Sequence, residues 1–396
     1  MKVEYKSLKE IVKTVIDYRG KTPFKLGGEW SDSGYRALSA LNVKTRGLVA
    51  EDKIRYVNED LYRKWMKEEV KRGDILITSE APFGQVLQWN SDEKIVLSQR
   101  LFALRIKPNY CSSYIYHYMA SDFFYGELRA RATGSTVEGL RQPALMKCKI
   151  AIPSWDCQCQ IASILSAYDS QIENNQKRIK LLEQMAENLY KEWFVRFRFP
   201  GYENAEFEGG IPKGWKQVTL GEYANVIMGQ SPESCFYNND KQGLPFHQGV
   251  GSYGDFYLQD DVYSTEGKRI TEANSIIFSV RAPVGRINIT LNRIILGRGV
   301  AGINAKNGNN ALLLWILKNK FAKEDIIGNG SIFTSVTKDE LLGQKILIPI
   351  KKIEESFNTL ASNIEKEIRF LTLQKDNLTH QRDLLLPRLM SGKLSI

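Results

Sequence analysis

Apolar residues along the chain change their spacing in the same way in each half of the sequence. Residues 1–155 carry short β-branched and aromatic runs, such as Asp74-Ile75-Leu76-Ile77-Thr78, punctuated by Gly, Asn and Pro. That pattern predicts a mostly β domain with a few helices. After Ile152-Pro153 the period lengthens. Ile161, Leu165, Tyr168, Ile172, Asn175, Ile179, Leu182, Ala186, Leu189 and Trp193 follow one another at spacings of four and three. This is a coiled-coil seam with one polar break, at Asn175. No Pro or Gly interrupts residues 160–199, and about 35 helical residues would extend roughly 50 Å.

The second half repeats the design. Residues 201–350 return to short β-rich runs, and a second seam follows: Phe357, Ala361, Ile364, Ile368, Leu371, Lys375, Leu378, Arg382 and Leu385, each 196 positions after its counterpart. Lys375 and Arg382 make it less clean, an adjacent register through Leu360 fits as well, and Pro387 and Gly392 are expected to close it. Other landmarks recur too. Ala81-Pro82-Phe83-Gly84 returns as Ala282-Pro283-Val284-Gly285, Gly134-Ser135 as Gly330-Ser331, Ile152-Pro153 as Ile348-Pro349, and Leu8-Lys9-Glu10 as Leu220-Gly221-Glu222. So long a period excludes a solenoid and indicates a duplicated domain-plus-helix unit.

A single apolar stripe on so long a helix needs cover, and the other copy is the natural partner. The expected fold is α+β: two mostly β domains with some helix, separated by two long helices in an antiparallel coiled coil, with an internal pseudo-twofold repeat. The expected boundaries are 1–155, 156–200, 201–350 and 351–396, with Pro200–Gly214 as a hinge. A parallel pair, or helices packed only on their own domains, are the alternatives.

Composition narrows the function. The longest unbroken apolar run, Ala311–Leu317, has seven residues, where a membrane span needs about 20. No apolar stretch follows Met1-Lys2-Val3-Glu4-Tyr5-Lys6, so no secretory signal is expected. Five cysteines without a Cys-x-x-Cys pair fit reduced, cytoplasmic thiols. The net charge of +10 is uneven: residues 1–155 hold 26 basic and 18 acidic side chains, and residues 201–350 hold 15 of each. Such a chain is attracted to polyanions, modestly.

No Pro-Pro dipeptide exists to build the base-gripping loop of an adenine methyltransferase. Gly249-Val250-Gly251-Ser252-Tyr253-Gly254 matches Gly-x-Gly-x-x-Gly but precedes a strand-like run, so it reads as a glycine-rich turn. Gly20-Lys21-Thr22 lacks the upstream glycine of a phosphate-binding loop. Asp255, Glu266 and Lys268 suggest a solvated hairpin more than a nuclease site.

Together, the paired strand–Ala-Pro-x-Gly segments, the Gly-Ser and Ile-Pro landmarks, the helix from Gln160 through Trp193-Phe194, and the closing Leu385-Leu386-Pro387-Arg388-Leu389-Met390-Ser391-Gly392 resemble the specificity subunits of type I restriction–modification systems. The likeness spans the whole chain. It implies a non-catalytic subunit that binds double-stranded DNA through two target-recognition domains, each reading half of a split, asymmetric site across a gap set by the helical spacer. It further implies two methyltransferase subunits as partners, with restriction subunits able to join. No cofactor is expected on this chain; S-adenosylmethionine, ATP and Mg are expected on those partners. A divergent enzyme and a structural scaffold are the rival readings.

Candidate DNA contacts come from polar loops beside the repeated landmarks. In the first domain these are Arg19, Lys21, Thr22, Lys44, Arg46, Arg131, Ser135 and Thr136; in the second, Gln230, Ser231, Gln248, Tyr253, Arg281, Arg286, Asn329 and Ser331. Glu80 and Arg281 differ at matching positions. Tyr190, Trp193 and Phe194 either dock a methyltransferase or complete the helices' own core.

Overall fold

The structure is a computed structural model that describes residues 3–134, 138–321 and 335–394. The chain divides into two compact units, Met1–Asn175 with Gln374–Ile396, and Gln176–Leu373. Each long helix is therefore shared between units.

In the first unit, Glu4–Ser7 pairs antiparallel with Lys149–Ile152 and so ties together the two ends of the β domain. The next turn is set by a capping box: the Ser7 backbone N–H donates to Glu10 Oε2 at 2.8 Å and starts the short helix Leu8–Ile11. A four-stranded antiparallel sheet follows in the order Val12–Asp17, Leu101–Ile106, Ile75–Thr78, Val86–Gln88. Its alternating side chains serve two cores. Ile75, Ile77, Phe102 and Leu104 face one that holds the helix Ser112–Met119. Leu76, Ala103 and Ile16 face another, shared with a three-stranded sheet of Arg55–Val57, Tyr35–Leu38 and Ile95–Leu97.

The second unit rebuilds this plan. Lys216–Thr219 pairs with Lys345–Ile348, and Thr219 with Glu222 repeats the capping box. The four-stranded sheet runs Ala224–Met228, Val300–Ala305, Ile276–Ser279, Ile287–Ile289, beside a five-stranded sheet that includes Leu244–His247 and Ile294–Leu296. The apolar run Ala311–Leu317 is buried within the helix Asn310–Lys320. Among the described residues no helix is long and apolar enough to cross a membrane.

The long helices are Trp155–Tyr190, extended by a wider π-type turn over Lys191–Val195, and Lys351–Met390. Within the first unit, Leu165 shares a core with Leu386, Leu389 and Met390. Asp169 pairs with Arg382 at 2.8 Å, and Asn175 Nδ2 donates to Gln374 Oε1 at 2.9 Å. Within the second, Arg178 pairs with Glu367 at 2.8 Å, and Trp193 packs edge-on to Phe357. In each unit one helix's numbers rise as the other's fall, so the pairing is antiparallel. The register is the one through Phe357, Ala361, Ile368 and Leu371, each fully buried, and not the one through Leu360, which is 46% exposed.

Two expectations need correction. Pro387 does not close the second helix, which runs on to Met390 before Gly392 adopts a left-handed φ of 70°. Leu386, Leu389 and Met390 are buried, and their packing offsets the one backbone hydrogen bond a late proline forfeits. Pro200–Gly214 is not a loose hinge. Phe207–Glu208 and Ile211–Pro212 form a small hairpin there, and the flanking Phe199 and Trp215 are buried with their rings tilted against each other, centroids 5.3 Å apart. Tyr190, Trp193 and Phe194 are buried around Phe357 and Trp215, completing the core.

Candidate nucleic-acid interface

In each copy, one end of the four-stranded sheet gathers the polar loops. In the first, Asp17 lies opposite Phe102, Leu101 opposite Thr78 and Ile77 opposite Val86. The loops holding Arg19, Arg100, Glu80 and Gln85 therefore emerge together. The hairpin of Val43–Lys44 and Gly47–Leu48 joins them: the Arg46 N–H donates to the Val86 carbonyl at 3.0 Å and Thr45 Oγ1 donates to Gln85 Oε1 at 3.0 Å. In the second copy Met228 lies opposite Ala301, Ser279 opposite Val300 and Phe278 opposite Ile287. That collects Gln230, Arg281 and Arg286, the last two exposed, at the equivalent end. Both Ala-Pro-x-Gly turns have a cis peptide before proline, and their glycines have φ of 70° and 86°.

The second copy's loops approach backbone to backbone. A side chain at Gly229 would collide with the carbonyl oxygen of Gly297, and one at Gly299 with that of Gln248. His247, 1% exposed, clamps the arrangement: Nε2 lies 2.9 Å from Asp260 Oδ1 and Nδ1 2.8 Å from Ser252 Oγ. Because the carboxylate only accepts, Nε2 donates to it, and the Ser252 hydroxyl also lies 3.3 Å from the Gly249 carbonyl. Asn292 Nδ2 donates to Asp260 Oδ2 at 2.6 Å. The glycine-rich segment 249–254 is thus a clamped turn, with only a short 3₁₀ turn at Val250–Ser252.

The sequence-derived residues divide by what already engages them. Arg19 is forked onto Asp17 (2.9 and 3.0 Å) and lies over the Phe102 ring. Lys21 donates to the Trp65 carbonyl at 2.9 Å, and burial, with Lys67 nearby, lowers its pKa. Thr22 Oγ1 accepts from the Lys25 backbone N–H at 3.3 Å. Arg46 turns inward, pairing with Asp169 at 3.0 Å with its side chain only 12% exposed. Arg131 pairs with Glu127 at 3.0 Å. Tyr253 has a buried hydroxyl without a hydrogen-bond partner among the described residues, and burial raises its pKa. Ser231 Oγ accepts from the Arg298 N–H at 3.2 Å. Lys44, Gln230 and Gln248 are exposed. Ser135, Thr136, Asn329 and Ser331 lie outside the described residues. Glu80 pairs with Arg100 at 3.1 Å, whereas Arg281 makes a backbone bridge to Ser335.

Sequence reasoning did not single out Gln99 and Arg298, exposed residues of the three-residue loops entering the central strands Leu101–Ile106 and Val300–Ala305. No motif marks them. Their signal is positional, and it needs the two copies aligned strand by strand.

Comparison with known proteins agrees with this architecture. The family model for the type I restriction modification DNA specificity domain matches twice, over residues 1–184 and 212–378. A putative type I restriction enzyme specificity subunit, MjaX, of Methanocaldococcus jannaschii is 29% identical, covering 87% of this chain and 84% of its own. The HindI specificity subunit of Haemophilus influenzae is 22% identical, covering 83% and 88%. The crystal structure of the type I restriction–modification S subunit from M. genitalium superposes with a TM-score of 0.63 at 15% identity, over 98% of this chain and 96% of that one. Two copies of one domain, each followed by a long helix, and a family match across most of the length give one conclusion: the chain belongs to the type I restriction–modification specificity subunits, with two DNA-recognition domains.

Proposed function

We propose that each recognition domain reads one half of a bipartite, asymmetric site in double-stranded DNA, and that the helix pair sets the unread gap. The observation that carries this reading is one sheet-end framework built twice with different tips: Arg19, Glu80 and Lys44 on one copy, Gln230, Arg281 and Gln248 on the other. Polar tips of this kind read base edges in the major groove, and lysines and arginines hold phosphates. Asn175 with Gln374 and Asp169 with Arg382 hold the helices at one offset, which is what a ruler requires.

The chain directs partners that do the chemistry. S-adenosylmethionine belongs on two methyltransferase subunits, and ATP and Mg on restriction subunits. In the second unit Leu181, Met185, Phe370 and Leu373 are 63%, 57%, 58% and 50% exposed on the long helices, an apolar surface suited to protein docking.

The test is the methylated-base pattern of DNA from cells expressing the chain with its partners. Exchanging residues 1–155 for the matching part of another specificity subunit is expected to change one half of the pattern and leave the other. Simultaneous change of both halves would overturn domain-by-domain reading. Inserting seven residues after Asn175 and seven before Gln374 lengthens the pair by about 10 Å, equivalent to roughly three base pairs. The gap is expected to widen with both half-sites preserved; an unchanged gap would refute the ruler.

A further inference from the structure

The loops carrying Gln99 and Arg298 are the same loop, built twice. In the first copy the Ser98 N–H donates to the Leu38 carbonyl at 2.8 Å, and Ser79 N–H to the Arg100 carbonyl at 2.8 Å. In the second, Gly297 N–H donates to the His247 carbonyl at 2.8 Å, and Val280 N–H to the Gly299 carbonyl at 3.0 Å. Leu38 and His247 end matching strands, and Ser79 and Val280 stand one residue before Glu80 and Arg281. Gln99 and Arg298 therefore occupy one position of the repeat. Each is the exposed middle residue of a loop whose first residue is buried, with Arg100 exposed beside Gln99 and Gly299 buried beside Arg298.

We infer that Gln99 and Arg298 are base-reading, specificity-determining residues: Arg298 contacts guanine in one half-site and Gln99 contacts adenine in the other. This rests on the proposed reading and names its agents. The backbone beneath each is held rigid. Ala40 N–H donates to the Gln99 carbonyl at 3.1 Å, and the Arg298 N–H is fixed by Ser231 Oγ at 3.2 Å. Rigidity matters because bidentate recognition tolerates little misplacement.

The side chains, by contrast, are free. Among the described residues neither the Gln99 amide nor the Arg298 guanidinium has an ion-pair or hydrogen-bond partner. Their neighbours are already engaged, Arg100 by Glu80 and Arg19 by Asp17. The chemistry follows from donor and acceptor geometry. A guanidinium fork matches guanine O6 and N7, and a glutamine amide matches adenine N6 and N7 in the major groove. Gln230 and Gln248 border Arg298 through the glycine contacts and extend the same reading surface.

The experiment uses the full chain assembled with its partner subunits and selects bound sequences from randomised duplex DNA, at two salt concentrations. Arg298→Gln is expected to lose discrimination at one G·C pair of one half-site by roughly 10- to 100-fold, with the other half-site unchanged. Gln99→Arg is expected to do the same at one A·T pair of the opposite half-site. Unfolding midpoints matching the parent chain's will show that the surface changes leave the fold intact. Uniform weakening across all sequences, with a shallower salt slope, identifies a phosphate contact and overturns the inference, as does an unchanged motif. Exchange of residues 1–155 runs in parallel. If it moves a half-site while the point variants do not, this inference fails and the proposed function stands; if it moves none, the proposed function itself fails.

Discussion

Asp169 and Glu365 stand 196 positions apart, at the same place on the two long helices, and the two units treat them differently. In the first unit Asp169 receives two guanidinium groups, Arg46 from the hairpin at 3.0 Å and Arg382 from the opposing helix at 2.8 Å. In the second, Glu365 has a buried carboxylate oxygen with no hydrogen-bond partner among the described residues, and the position matching Arg382 is Ala186. Burial pushes the Glu365 pKa up to about 7, against the pull of Lys318. One duplicated position thus holds a charge-paired carboxylate in one unit and a buried carboxyl with a raised pKa in the other. The lesson is that duplication preserves backbone and apolar seams, while the polar side chains are free to diverge.

Three experiments sharpen that comparison. The largest effect is expected from Asp169→Ala, which removes the carboxylate facing Arg46 and leaves Arg382, 8% exposed, with Asp383 alone. Breaking one side of such a pair costs about 3 kcal/mol, measured as a loss of stability in the first unit by hydrogen exchange or denaturant unfolding. A loss of less than about 0.5 kcal/mol, the usual surface value, would show that the network contributes little.

Next is the acid limb of the first unit. His117 is 1% exposed, its Nε2 3.1 Å from Ser166 Oγ. Burial, with Arg46 and Arg382 adding to it against Asp169, lowers its pKa from 6.5 to about 4. The unfolded chain binds this proton more readily, so the contribution is whole above about pH 6.5 and is lost as pH falls toward 4. Between pH 7.5 and 5 this amounts to about 2 kcal/mol, and His117→Gln should flatten that slope. An unchanged slope would assign it to other groups.

Glu365 should show the opposite sign. Its folded pKa is raised, so its contribution is complete below about 4.5 and is lost as pH climbs through about 7. Glu365→Gln is therefore expected to stabilise the second unit by about 3 kcal/mol at pH 8 and to change little at pH 4. Equal effects at both pH values would remove the titration argument.

Much of the fold was legible because apolar periodicity reports burial directly. The seam from Ile161 to Trp193, the buried run Ala311–Leu317 and the recurring Ala-Pro-x-Gly turns all appear where their spacing places them. The candidate interface was legible only in outline. Arg46 looks like a DNA contact in a basic loop, yet its partner, Asp169, lies 123 residues away. Gln99 and Arg298 carry no local pattern, since an exposed polar residue in a short loop resembles any other. Even on the helices, spacing could not choose between Phe357 and Leu360, because the seam is decided by what the opposite helix presents.

The amino-acid sequence by itself determined the duplication, the alternation of β domain and long helix, and the family, since each is written in spacings that water enforces on apolar side chains. Tertiary structure alone decided the helix register, the inward turn of Arg46, the clamp around His247, and which tips remain exposed at the sheet end. Those outcomes depend on hydrogen bonds and ion pairs between residues far apart in the chain. Such polar partners have no period, and only folding brings them within reach.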